Sequence, residues 1–151
     1  MIRIIEDNED LSVNEIEDFM NRHDALGVFD TRRFWPDNFK IHFVKIIAAN
    51  QIVTFRDENN LAGLCSWMFV DENNKHDINK IRWTLPENIE NGDIAYIDVC
   101  LLRNDVNIYR LREFLNINVK PFVKEVYWYN SPGGRVARHK FKGDFSCRIA
   151  D

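Results

Sequence analysis

Residues 91–105 read NGDIAYIDVCLLRND. A turn at Asn91-Gly92-Asp93 gives way to Ile94–Leu102, a run that is apolar but for Asp98 and therefore reads as a buried strand. Side chains alternate along a strand, so Ile94, Tyr96, Asp98, Cys100 and Leu102 are expected on one face. Ala95, Ile97, Val99 and Leu101 take the other, which is wholly apolar. Asp98 should then look out on the more polar surface, beside a phenol and a thiol. A carboxylate in a sheet interior costs on the order of several kcal/mol unless it is compensated. It is either paired with an arginine or bonded to backbone amides, or it is a functional group that orients a base or polarises a nucleophile.

Downstream, RNDVNIYRLREFLNINV (103–119) changes to a helical period. Asn104 or Asp105 can cap this helix, Ile108, Leu111 and Leu115 form its buried stripe, and Pro121 marks its end. FVKEVYWYN (122–130) reads as a strand, SPGG (131–134) as a tight turn and RVARHKFK (135–142) as a returning strand. A strand–helix–strand crossover predicts that the strand at Val123–Tyr129 lies parallel to Ile94–Leu102. Ligands often bind just beyond the C-terminal ends of such strands, which points to Arg103–Val106.

Upstream, Met1–Ile5 predicts a short strand. In LSVNEIEDFMNRH (11–23), Ser12 with Glu15 three residues later forms a capping box for a helix that buries Val13, Ile16, Phe19 and Met20. DALGVFDTRRFWPDNF (24–39) is irregular, with Phe29, Phe34 and Trp35 as anchors. IHFVKIIAAN (41–50), QIVTFRD (51–57) and LAGLCSWMFV (61–70) are rich in β-branched and aromatic residues and predict three strands, the last two joined by a turn in RDENN. DENNKHDINK (71–80) reads as a solvated linker. The expected fold is mixed α/β (α+β), with a mostly antiparallel central sheet and flanking helices.

Composition narrows the function. The 151 residues carry 20 Lys+Arg against 24 Asp+Glu, a formal charge of -4 that disfavours a nucleic-acid partner. An RNA surface built from VYWYN and RVARHK lacks any RNP-type motif. The first ten residues lack the basic start and apolar core of a signal peptide, and no apolar run approaches a membrane span. Three widely spaced cysteines suit a reducing compartment, so a cytoplasmic chain is expected. His23, His42, His76 and His139 have no ligand partner at metal-binding spacing, and no metal is expected. Each reads more readily as structural or exposed than as catalytic. Ser66 lacks the glycines of a nucleophile elbow. In the last strand Val136, Arg138, Lys140 and Lys142 line one face, a cationic strip that suits phosphates or an acidic protein, or simply keeps an edge strand soluble.

The order of strands and crossover helix resembles the Gcn5-related N-acetyltransferase (GNAT) fold. That fold splays its central strands around an acyl thioester. The pyrophosphate loop of those enzymes is glycine-rich, whereas its counterpart here, RNDVN, has no glycine. A closer resemblance is to the toxin-activating lysine acyltransferases, a branch of the same fold that acylates lysines of RTX toxins from acyl carrier protein. It spans about residues 30–143 and rests on FWP, on NQIVTFRDENNLAGLCSW with its Cys-Ser-Trp ending, on NGDIAYID and on GGRVARHKFKG. The resemblance implies one acyltransferase-like domain over 1–151 that moves an acyl group from acyl carrier protein or acyl-CoA, with no permanently bound cofactor, to an amine such as a protein lysine. It places the catalytic Asp on Asp98. The family's histidine position, three residues ahead of Trp-Pro, holds Arg32, which cannot act as a base, so His23 is the nearest substitute. Arg103, Asn104, Arg138, Lys140 and Lys142 would bind the donor, and Val99 and Cys100 would position the oxyanion. A homodimer is compatible with this scheme. The alternative is a non-catalytic interaction protein on the same scaffold.

Overall fold

The computed structural model describes residues 1–23, 39–71, 86–130 and 135–140, with side chains for 1–22, 40–71 and 86–127. The anchors at Phe29, Phe34 and Trp35, Arg32, the linker at 72–80, the SPGG turn and Lys142 lie outside the described residues. Strand β1 is Ile2–Ile5, followed by helices α1 (Val13–His23) and α2 (Phe39–Ala48). Strands β2 (Ile52–Asp57), β3 (Asn60–Val70) and β4 (Ile94–Leu102) lead into α3 (Ile108–Asn118) and a 3-10 turn at Lys120–Phe122. Strands β5 (Glu125–Asn130) and β6 (Arg135–Lys140) complete one six-stranded sheet, ordered as in the chain. All neighbours are antiparallel except β4 and β5, which are parallel as the crossover requires. The fold is mixed α/β.

Each face of the sheet carries its own core. On one, Ile16, Phe19 and Met20 of α1 and Phe43 and Ile46 of α2 pack on Ile52, Leu64, Met68, Ile94, Tyr96, Val99 and Leu101. On the other, Leu111, Phe114 and Leu115 of α3 cover Val53, Phe55, Cys65, Trp67, Ala95, Ile97, Cys100 and Leu102. Each large apolar side chain so buried contributes roughly 1.5–3 kcal/mol, which makes these two layers the main source of order. Helix α1 starts as its sequence predicts: Ser12 Oγ accepts from the Glu15 N–H at 3.1 Å. The Glu15 carboxylate does not return to Ser12 but forms a two-pronged pair with Arg56 of β2, at 2.6 and 3.0 Å.

Four expectations are corrected. First, 41–50 is not a strand; most of it lies in α2. Its β-branched content suits a sheet, but His42, Phe43 and Ile46 are buried while Ile41 and Val44 are exposed, a helical stripe against the sheet. Packing overrides propensity here. Second, the alternation along β4 is broken. Ser66 pairs with Val99 and Trp67 with Ile97, so Asp98 is an extra residue, a β-bulge. Beyond it the pattern is inverted: Val99 and Leu101 join the face of Ile94 and Tyr96, while Cys100 and Leu102 join the face of Ala95 and Ile97. Third, Asp98 does not look out on a polar surface; it is only 4% exposed. Fourth, α3 is capped by Asn107, whose Oδ1 accepts from the Tyr109 N–H at 3.0 Å, and not by Asn104 or Asp105. Asp105 instead accepts from Arg103.

Candidate functional site

The bulge sits where the sheet changes character. The parallel ladder of β4 and β5 runs from Ile94 opposite Glu125 to Ile97 opposite Trp128 and stops there. Strand β4 continues to Leu102 and β5 to Asn130 without further pairing between them. The two strands therefore diverge at Asp98, immediately after the last paired residue.

The Asp98 carboxylate is held by three donors. His42 Nε2 of α2 lies 2.5 Å from Oδ2. Ser66 Oγ of β3 donates to Oδ1, and the Val99 N–H donates to Oδ1 at 3.0 Å. A carboxylate only accepts, so Nε2 carries the proton shared with it. All the side chains involved are buried: His42 is 2% exposed and Ser66 fully enclosed. The His42 ring also stands edge-on to Phe43, with centroids 5.2 Å apart. Chemically, Asp98 fixes the tautomer and orientation of an imidazole. Ser66 is joined to Asp98 rather than to the imidazole, so the three groups do not form a nucleophile–base–acid relay.

The histidine that meets Asp98 is not the one the sequence reading puts at this site. A signal for it is present all the same: His42 is the lone polar residue between Ile41 and Val44, as Asp98 is the lone carboxylate in its strand. Two isolated polar residues in apolar runs satisfy each other in one core. His23 ends α1, and its side chain lies outside the described residues. The Val99 N–H is engaged by Asp98. Cys100 lies in the apolar layer under α3, in register with Cys65, with no disulfide between them. Asn104 is exposed in the turn before α3.

Arg103 is tied down by two carboxylates. Its Nε and Nη2 donate to Asp105 at 2.6 and 2.7 Å, and Nη2 also donates to Asp57 at 2.8 Å. These hydrogen bonds from the guanidinium hold the Asp57 and Asp105 carboxyls below the usual aspartate range and push Arg103 up. On β6 the backbone register sets Arg138 opposite Tyr127 and Lys140 opposite Glu125, while their side chains lie outside the described residues. Glu125 is itself buried, accepting from the Tyr127 hydroxyl at 3.0 Å.

No family model matches the sequence, and no curated protein matches it. Solved structures do align with it. The loading GNATL domain of CurA from Lyngbya majuscula aligns with 13% identity and a TM-score of 0.48, over 86% of this chain and 65% of that one. The chain thus spans slightly less than two thirds of that domain. A protein from Staphylococcus aureus MU50 described as an acetyltransferase gives 13% identity and a TM-score of 0.48, over 85% of this chain and 78% of that one. A GNAT-family acetyltransferase from Bacillus cereus ATCC 10987 gives 11% and 0.41, over 85% and 70%. Among the described residues, no helix is long and apolar enough to cross a membrane.

Proposed function

We propose that the chain is an acyltransferase of GNAT type that takes an acyl group from a thioester and passes it to an amine. The observation that carries this reading is the coincidence of three features at one position. The β4–β5 ladder ends at Ile97, the bulge falls on Asp98, and Asp98 holds an imidazole. In the proposed reaction the thioester lies in the mouth between the diverging strands. The amine nitrogen bonds to the carbonyl carbon, the C–S bond breaks, and the thiolate leaves. The amine's surplus proton passes to His42, which Asp98 orients and stabilises when charged, and then to the departing sulfur. Backbone N–H groups of β4 near Cys100 would face the oxyanion.

At a finer level, the proposal follows the resemblance to the toxin-activating lysine acyltransferases: acyl carrier protein or acyl-CoA as donor and a protein lysine as acceptor. Arg138, Lys140 and Lys142 would dock an acidic carrier. The commitment of Arg103 to Asp57 and Asp105 favours a carrier protein over a donor that needs a cationic pyrophosphate site there. His42 replaces His23 as the proposed base, because it is the one that touches Asp98.

A second reading, a non-catalytic interaction protein on this scaffold, is favoured by one observation: the His42–Asp98 pair is almost wholly enclosed. One experiment separates the two. The purified chain is incubated with acetyl-CoA, a long-chain acyl-CoA or acylated carrier protein and a lysine peptide, and acyl transfer is followed by mass spectrometry alongside melting-point shifts. Transfer from one donor, lost in folded Asp98→Asn, supports the enzyme. No transfer and no stabilisation by any donor supports the binder.

A further inference from the structure

At the end of the sheet away from the α3 N-terminus, an open cleft of about 990 Å³ runs between the ends of α2 and α3. It is separate from the Asp98 cluster, since neither Asp98 nor His42 lines it. Its floor is aromatic: the rings of Trp67 and Phe114, both largely buried, lie 5.8 Å apart between centroids and are tilted by 51° to each other, and Phe122 projects beside them with 69% of its surface exposed. Its rim is acidic. Glu6, Glu9 and Glu90 line it, all exposed, and among the described residues no lysine or arginine stands in its walls. Among the described residues these three carboxylates have no ion-pair partner, unlike Glu15, Asp57, Asp93 and Asp105 elsewhere on the surface.

From this geometry we infer that the cleft docks a basic peptide segment of a partner protein, with apolar side chains on the Trp67–Phe114–Phe122 floor and flanking lysines or arginines against the rim. Both halves of the cleft bear on this choice. An exposed phenylalanine on an aromatic floor gains by being covered by apolar surface. A rim with carboxylates only repels acidic ligands and attracts cations, and aromatic faces add to that attraction. An acidic partner or a phosphate-bearing ligand is excluded on charge. The inference does not rest on acyl transfer: the cleft would select a basic segment whether that segment is then acylated or simply held. If transfer does occur, this surface would choose its acceptor.

The test uses the full chain and a fluorescein-labelled ten-residue peptide alternating leucine and lysine, with a leucine–glutamate peptide as comparison, both followed by anisotropy. The lysine peptide is expected to bind, with affinity falling as salt rises, and the glutamate peptide not to bind. Glu9→Gln/Glu90→Gln should weaken binding about three- to tenfold, and Phe122→Ala should weaken it further. Asp18→Asn/Glu113→Gln, which removes the same charge from exposed sites outside the cleft, should bind as the unaltered chain does. Equal binding of both peptides, no binding of the lysine peptide, or equal weakening by the two charge pairs would each overturn the inference. Circular dichroism of every variant confirms that it is folded. Loss of peptide binding with donor-dependent transfer intact would reject the docking surface alone, and the converse would reject the enzyme alone.

Discussion

Asp98 carries the proposed chemistry and a large stability liability. Its carboxylate satisfies Ser66, His42 and the Val99 amide at once. Asp98→Asn puts an amide NH2 against one of these donors and leaves a buried polar group unsatisfied. It should destabilise the fold by about 3–5 kcal/mol, read as a shift in urea midpoint. Replacing the whole cluster with apolar residues of similar size, as in Ser66→Ala/His42→Leu/Asp98→Leu, should cost less than the single change, because no side-chain donor is then stranded and only the Val99 amide loses its acceptor. If the triple variant proves the less stable, the cluster contributes net stability and is more than a tolerated polar island. At this scale the sequence is half legible. A lone acid in an apolar strand marks the position without ambiguity, but its partner lies 56 residues away, and nothing local to Asp98 distinguishes His42 from the other three histidines.

The elements show where local pattern fails and where it suffices. Helix α1, the β2–β3 hairpin and α3 follow from caps, periodicity and turn residues, which act over a few residues, except that the cap of α3 falls at Asn107 and not at Asn104 or Asp105. Helix α2 does not, because its β-branched residues favour a strand and only burial against the sheet selects the helix. The bulge at Asp98 is equally hidden, since an extra residue changes the face of everything after it without altering composition. Two predictions belong here. Asn107→Ala should remove the cap of α3 and cost about 1 kcal/mol, measured by urea unfolding. At Gly92 an added Cβ would lie 2.1 Å from the Val70 carbonyl oxygen and 2.2 Å from its carbon, both backbone atoms that cannot swing aside. Gly92→Ala should therefore cost at least about 2 kcal/mol. Gly63→Ala, whose tightest contact is the movable Leu102 Cδ2 at 2.7 Å, should cost less. Equal costs at the two sites would mean that the 86–93 segment shifts freely against β3.

On the scale of the whole molecule, Arg103 joins segments that are distant in the chain: the end of β2 through Asp57, and the turn before α3 through Asp105. The same guanidinium lowers both carboxyls from their ordinary values. A carboxyl that is depressed in the folded state favours folding while it is ionised in both states. That contribution is complete above the unfolded aspartate value, about 4, and is lost as the pH falls through the lower folded values. The stability difference between the unaltered chain and Arg103→Gln should therefore be constant from about pH 7 to 5 and shrink below about pH 4. It should also shrink with added salt, because all three groups are substantially exposed. Urea midpoints for both chains across that range provide the measurement. A gap that persists undiminished at the acid end would show that Arg103 supports the β2–β4–α3 junction by packing its aliphatic stem rather than by its charge.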